Sequence, residues 1–124
     1  MPINPNAREK RWLNIVAQYD CIATGFSNTQ IHHVKGRTAK HNKVAIGHIW
    51  ILILHFNLHD VSSNSKYNVT HYPKRFEEKY GTQKNLFLKL VSMIKDDMDN
   101  GRIKKDYEAL PTIEEIEAIK GYRR

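Results

Sequence analysis

The sequence predicts an α+β fold, with two short strands in the first half of the chain and helices on both sides of them. Apolar residues recur at helical spacing near the start and around residues 86–94, whereas two short β-branched, apolar runs lie between. All seven histidines fall between His32 and His71, within the strand-containing region. The 124 residues fit one domain, predicted to span residues 1–124, with a core at about 20–90 and a C-terminal helical extension at about 107–124.

The first helix is predicted to begin at Asn4, with Pro5 at its first helical position. Apolar side chains then recur at helical spacing between Trp12 and Tyr19. We interpret this stripe as part of the core, with no functional role.

Two strands are predicted, at residues 30–34 and at residues 49–54. They could pair antiparallel, although the polar connection at residues 35–47 exceeds the usual hairpin length. Successive side chains of a strand point to opposite faces. The sequence therefore predicts that His32 and His33 lie on opposite sides of the first strand.

Three helices are predicted after the strands. The first covers Pro73–Tyr80, with proline at its first position, and the second covers residues 86–94. The third begins at Thr112, where Thr112 and Glu115 fit a capping box. Residues 96–106 form a charged linker, so we expect the last helix to pack loosely.

The net charge of +7 is concentrated beside the histidines. Residues 32–80 carry eight basic and three acidic side chains, or +5, whereas residues 1–31 and 81–124 each carry +1. Histidine is a common metal ligand, so the histidine-rich region is a candidate metal site. A basic surface beside it suggests a polyanionic partner, most simply nucleic acid. A solvated basic loop face is the alternative, and charge alone does not decide between them.

The composition argues against a membrane or disulfide-rich protein. The longest apolar run, residues 49–54, is far shorter than the roughly 20 residues that span a bilayer. The N-terminal residues lack the apolar core of a signal peptide, and the single Cys21 excludes an internal disulfide. We expect a cytoplasmic protein with no membrane partner and no disulfide-linked partner.

Histidine suits two tasks, since it is the commonest metal ligand and titrates near neutral pH. Phosphodiester hydrolysis can use a metal ion to stabilise the leaving oxyanion and a neutral imidazole to take a proton from water. Basic side chains would hold the neighbouring phosphates. The adjacent pair His32-His33 could divide the first two tasks, with one ring on the metal and one on the water.

The histidine-rich region resembles the HNH (ββα-metal) endonucleases. It is particularly similar to the RecA-dependent recombination-enhancement nucleases of phages and prophages. The matching segments are Ile31-His32-His33-Val34-Lys35-Gly36-Arg37-Thr38, Lys40-His41-Asn42-Lys43, Gly47-His48, Leu58-His59-Asp60, Asn68-Val69-Thr70-His71 and Phe76-Glu77-Glu78-Lys79-Tyr80-Gly81-Thr82-Gln83. The resemblance covers about residues 20–90, and the order of these segments is far more specific than a histidine pair alone.

The resemblance implies a small ββα-metal core with flanking helices, and it places five histidines. His33 falls where these enzymes have the general base, and His48 falls near a position that orients the base or steadies the loop. His32, His59 and His71 fall at metal-ligand positions. The implied cofactor is a divalent ion, Zn²⁺, Mg²⁺ or Mn²⁺, and imidazole ligands favour Zn²⁺.

The function implied is a metal-dependent DNA endonuclease linked to recombination, with DNA and a RecA filament as partners, acting in the bacterial host cytoplasm if phage-encoded. Candidate phosphate contacts are Arg37, Lys40, Lys43, Lys74 and Arg75. Two alternatives stay open. One is a non-catalytic DNA- or RecA-binding module with a structural metal, and the other is a basic domain without a metal.

The sequence departs from the family at the structural zinc site. Many HNH proteins bind this zinc with two Cys pairs, but here Thr24 stands where the partner of Cys21 would be. His55 and Leu58 stand at the second pair. Because Cys21 and His55 cannot complete a four-ligand site, we expect apolar packing in place of structural zinc. Trp50 is expected in the core.

Overall fold

The computed structural model of the protein describes residues 4–122 and has the predicted mixed α+β architecture. Within that range the strands are β1 (Thr29–His33), β2 (Lys40–His41), β3 (Val44–Ala45) and β4 (Ile51–His55). The helices are α1 (Ala7–Val16), α2 (Phe56–His59), α3 (Pro73–Tyr80), α4 (Gln83–Asp99) and α5 (Ile113–Gly121), with a 3-10 turn at Tyr107–Ala109. Residues 1–3 and 123–124 of the predicted domain lie outside the described residues.

Helix α1 begins at Ala7, so the predicted start at Asn4 was wrong. Asn6 is the N-cap, and its side chain accepts a hydrogen bond from the Glu9 amide at 2.8 Å. In return, the Asn6 amide donates to the Glu9 carboxylate at 2.9 Å. This capping box satisfies two amide groups at the helix end and leaves Pro5 outside the helix.

The two predicted strands pair antiparallel as β1 and β4, with Thr29 opposite His55 and His33 opposite Ile51. Strand β4 begins at Ile51 rather than at the predicted residue 49. The reason is a tight turn, in which the amides of Ile49 and Trp50 both donate to the Ile46 carbonyl at 3.0 and 2.8 Å. This turn brings the residues before β4 back across the end of β1.

The connection between β1 and β4 contains a small hairpin that the sequence analysis did not predict. Strands β2 and β3 pair antiparallel, and Asn42 and Lys43 between them both have positive φ. The hairpin is followed by Gly47, where a Cβ atom would lie 2.2 Å from the Arg37 carbonyl oxygen. Because non-bonded atoms cannot approach so closely, only glycine at position 47 allows the backbone of residues 36–37 to pack against it.

The core lies between β4 and α4. Residues 51–54 are buried on both faces of β4, and α4 contributes Phe87, Leu90, Ile94 and Met98. Trp12 completes this layer from α1, and its indole Nε1 donates to the Ile49 carbonyl at 3.0 Å. Trp50 is buried, as predicted. No helix among residues 4–122 is long and apolar enough to cross a membrane.

Helix α4 continues to Asp99, so the first part of the predicted linker at residues 96–106 is helical instead. The physical reason is Met98, which lies one turn beyond Ile94 and is fully buried. The charged residues of this turn stay at the surface, where Arg102 forms ion pairs with Asp96 and Asp97.

Helix α5 is firmly attached, so the expectation of loose packing was wrong. Arg8 of α1 reaches it with a two-pronged ion pair to Glu115, at 2.9 and 2.7 Å. The same guanidinium donates to the carbonyls of Glu108 and Leu110 at 2.8 and 2.7 Å. The predicted capping box of Thr112 and Glu115 is confirmed.

Candidate histidine site on the small sheet

Four of the seven histidines lie together at the β1–β4 sheet. We call His32, His33, His48 and His59 the histidine cluster. Their rings form two edge-on pairs, His32 with His59 and His33 with His48, each with centroids 5.1 Å apart. The neighbours His32 and His33 thus face different partners, as expected for adjacent residues of one strand. The pairs lie close enough for His59 to influence both His32 and His33 electrostatically.

The pair His33 and His48 is joined by a hydrogen bond. His33 Nε2 lies 3.1 Å from His48 Nδ1, and His48 is buried in the tight turn before β4. Burial lowers the pKa of His33 to about 4, helped by the nearby charges of His48 and Arg37. His33 is therefore neutral at pH 7, which is the state that a proton acceptor requires.

The pair His32 and His59 is held by two glutamine side chains. His32 Nε2 lies 2.9 Å from Gln83 Oε1, and His59 Nδ1 lies 2.8 Å from Gln30 Oε1. Burial lowers the pKa of His32 to about 4 and also lowers the pKa of His59. Both rings are neutral at pH 7, as metal binding requires.

No role for either glutamine is predicted from the sequence. Gln83 closes the Phe76-to-Gln83 segment quoted for the resemblance, so its position was noted but not its contact with His32. Gln30 precedes His32 by two residues and therefore shares its face of β1. That spacing places Gln30 beside His32 but does not indicate its hydrogen bond to His59.

The other three histidines lie apart from these pairs. His71 is exposed, and its Nε2 donates to the Val61 carbonyl at 2.9 Å. His41 belongs to the β2–β3 hairpin and packs against the ring of Tyr122, with centroids 5.7 Å apart. His55 caps α2 and contacts the rings of two exposed phenylalanines.

The donor atoms of His32 and His59 fit part of a divalent metal site. Histidines that bind metals commonly donate their other ring N–H to a carbonyl or carboxylate group. Here amide oxygens of Gln83 and Gln30 accept those hydrogen bonds. Among residues 4–122, however, no group of three or more His, Cys, Asp or Glu side chains is arranged to hold a metal ion. The pair would supply two ligands, and His71 would have to leave Val61 to join them.

Of the segment where the family has its first zinc-binding Cys pair, Cys21 and Ile22 are buried, whereas Phe26 is exposed. Cys21 is buried in the core, and its backbone amide donates to the Phe26 carbonyl at 2.9 Å. The Gly25 amide donates back to the Cys21 carbonyl at 2.8 Å. These two bonds close a tight turn between Cys21 and Phe26.

The candidate phosphate contacts fall into two groups. Arg37 and Lys40 line a cavity of about 510 Å³ that is also lined by His48, and Lys43 lies at the exposed hairpin turn next to it. Lys74 and Arg75 lie instead at the exposed start of α3. The first group is the one that adjoins the histidine cluster.

In the second group, Lys74 and Arg75, the cationic side chain of Arg75 lies over an aromatic ring. The Arg75 guanidinium lies 4.5 Å from the ring centroid of Tyr72, which is partly exposed. Such a pair offers both charge and a flat surface to a nucleic acid. It equally suits an ordinary solvated surface.

Comparison with known proteins assigns no relative, because no family model and no curated protein matches the chain. The function must therefore be argued from the histidine cluster and the basic residues beside it. The resemblance of the sequence segments to HNH endonucleases suggests which chemistry to consider.

Proposed function

We propose that the protein is a metal-dependent DNA endonuclease of the HNH (ββα-metal) type, which hydrolyses phosphodiester bonds. The antiparallel β1–β4 pair followed directly by α2 supports this proposal, because it has the ββα order. The observation that carries it is the division of the adjacent histidines between two partners. His32 faces His59, whereas His33 is bonded to His48.

His33 is the proposed general base. When its Nε2–H donates to His48 Nδ1, the lone pair on its own Nδ1 is left to accept a proton from the attacking water. His48 holds the ring in this orientation from its buried position. The negative phosphate of the substrate would stabilise the imidazolium that forms, and so would raise the pKa of His33 from its low value in the free protein.

His32 and His59 are the proposed protein ligands of the metal, with His71 as the third position that the resemblance implies. When bound, a divalent ion stabilises the negative charge on the phosphate and on the leaving oxygen. Imidazole nitrogens favour Zn²⁺, with Mn²⁺ and Mg²⁺ as alternatives. The low pKa values of His32 and His59 keep both rings available to a cation at neutral pH.

Arg37 and Lys40 are proposed to hold the DNA phosphates next to the cleaved bond, because they line the cavity beside His48. Lys43 extends the same basic surface, and Lys74 and Arg75 form the second contact. Each phosphate that is neutralised should steepen the slope of log K for duplex DNA binding against log salt concentration by about 0.9. A RecA filament is a further proposed partner, on the resemblance alone, and cleavage rates with and without the filament test it.

The decisive test of the proposed nuclease is the His33→Ala variant, with His41→Ala as a matched control. Loss of a general base should reduce cleavage by about 10²–10⁴-fold. Binding of DNA, followed by fluorescence anisotropy, and binding of metal should remain normal. His41→Ala should cleave normally, because His41 packs against Tyr122 outside the histidine cluster. Unchanged cleavage by His33→Ala would refute the proposal.

The low pKa of His33 favours a second candidate, a non-catalytic DNA- or RecA-binding module with a structural metal. A ring with a pKa of about 4 is a weaker base than one tuned near neutral pH. In that case chelation of the metal should unfold the domain. If the protein is a nuclease instead, the apolar core between β4 and α4 should keep it folded after the metal is removed. Thermal melts with and without a chelator separate the two candidates.

A further inference from the structure

We infer that Gln30 and Gln83 are positioning residues that fix His59 and His32 in opposite tautomers and so select the nitrogen that each ring offers to a metal ion. His32 would offer Nδ1, and His59 would offer Nε2. The inference deepens the proposed function and rests on it for the identity of the ligand as a divalent cation. Its structural part, the two tautomers, concerns the protein without metal.

The orientation of Gln30 follows from its second partner. Its Nε2 lies 3.3 Å from a carboxylate oxygen of Asp60, and a carboxylate can only accept hydrogen bonds. The carboxylate also accepts hydrogen bonds from the amide and hydroxyl groups of Ser62, at 2.9 and 2.6 Å. The amide nitrogen of Gln30 must therefore face Asp60, so its Oε1 faces the ring of His59.

This orientation decides the tautomer of His59. The Gln30 oxygen, 2.8 Å from Nδ1, has no hydrogen to donate, so Nδ1 must carry the proton. The lone pair then lies on Nε2. The chain Asp60–Gln30–His59 thus has the arrangement commonly found behind metal-ligating histidines, in which a hydrogen-bond acceptor fixes the ring.

Gln83 plays the corresponding part for His32. It is the first residue of α4 and is buried, and its Oε1 lies 2.9 Å from His32 Nε2. Its backbone amide donates to Glu77 at 3.2 Å, and the cap residue Thr82 accepts from the Asn85 amide. The helix start is therefore fixed at several points. With Nε2 as the donor, the lone pair of His32 lies on Nδ1.

The two glutamines therefore act on one pair of rings from different parts of the fold. Gln30 belongs to the same strand as His32, whereas Gln83 lies 51 residues after it. Neither side chain is itself in the metal-ligand positions that the resemblance implies. Their shared contribution is that both imidazoles are oriented and protonated on the nitrogen that faces the protein.

The test begins with ¹⁵N spectra of the histidine rings in the metal-free protein at pH 7. The inference expects the Nδ1–H tautomer for His59 and the Nε2–H tautomer for His32. Gln30→Leu should release the tautomer preference of His59, and Gln83→Leu should release that of His32. The Nε2–H tautomer at His59, or spectra unchanged by both substitutions, would overturn the inference.

The second measurement is the affinity for Zn²⁺ and Mn²⁺, by titration calorimetry without DNA. Each leucine variant should bind about 10–100-fold more weakly. Gln83→Glu keeps an acceptor oxygen toward His32 and should recover most of the affinity. Gln18→Leu, at an exposed site at the end of α1, is the matched control and should bind normally. Equal affinities in wild type and both leucine variants would overturn the positioning role.

These outcomes are distinguishable from failure of the nuclease proposal. Cleavage by His33→Ala would refute the general base but would leave the tautomers of His32 and His59 unchanged. If Gln83→Leu fails to fold, because its site is buried, the half-buried Gln30 still decides the result through His59.

Discussion

Replacement of Gly47 by alanine should damage both stability and the candidate site. The added Cβ would lie 2.2 Å from the Arg37 carbonyl oxygen and 2.7 Å from that of Gly36, whereas ordinary contacts begin at 3.4 Å. The backbone segments at residues 36–37 and 47 must therefore separate by about 1 Å, because the atoms in the way belong to the backbone and not to a flexible side chain. Overpacking of this kind costs roughly 3 kcal/mol of the free energy of unfolding, or about 10 °C in Tm.

The same displacement reaches the candidate site, because Gly47 precedes His48 and its obstacle is the backbone of Arg37. A misplacement of about 1 Å can reduce an enzymatic rate about 100-fold. We therefore expect Gly47→Ala to lose both stability, measured by urea denaturation, and cleavage of DNA. Gly36→Ala is the matched control, because its Cβ would meet nothing within 4 Å. The reasoning is refuted if the two variants unfold at the same urea concentration.

Three further outcomes are expected. Because burial lowers the pKa of His32 to about 4, the unfolded chain binds its proton first as the pH falls below 6.5. His32 should therefore contribute a loss of up to about 3 kcal/mol of stability in the metal-free protein between pH 6.5 and pH 4. His33, whose pKa is also about 4, adds to this loss, so His32→Gln should reduce the pH dependence in urea titrations without abolishing it. Arg8→Lys should lower the free energy of unfolding by about 2 kcal/mol, because lysine cannot replace the forked contacts to Glu115 and two carbonyls. Lys95→Ala should lower it by under about 0.5 kcal/mol, because the ion pair of Lys95 with Asp99 is exposed. Equal costs for these two variants would contradict the role given to Arg8. Cys21→Val should leave the zinc content per molecule unchanged, and a loss of one zinc ion by elemental analysis would show that Cys21 is a ligand.

Much of the local structure could be predicted from the sequence. The strand pair, the helix at Pro73–Tyr80 and the capping box at Thr112 all follow from patterns spanning a few residues. The β2–β3 hairpin and the packing of α5 were not predicted correctly, and the other errors lie at element ends, where a competing contact decided the outcome. The capping box of Asn6 and Glu9 sets the start of α1 at Ala7. Burial of Met98 favours the continuation of α4 into the charged segment.

The candidate site was predictable in part. Strand alternation indicated that His32 and His33 point apart, and the structure gives them separate partners. The ligand role of His71 remains a prediction, since its Nε2 donates to the Val61 carbonyl in the structure. Neither Gln30 nor Gln83 had a signal that linked it to a particular ring.

By itself, the sequence determined the two longer strands, β1 and β4, and the helices α1, α3, α4 and α5, and it concentrated histidine and positive charge in one region. These properties depend on side-chain periodicity and capping, which act between residues close in the chain. Only the tertiary structure decided that His33 meets His48 across a tight turn and that Gln83 meets His32 across 51 residues. Such contacts depend on how β1, β4 and the start of α4 pack together, because burial of the shared core sets the distances between segments that no local pattern relates.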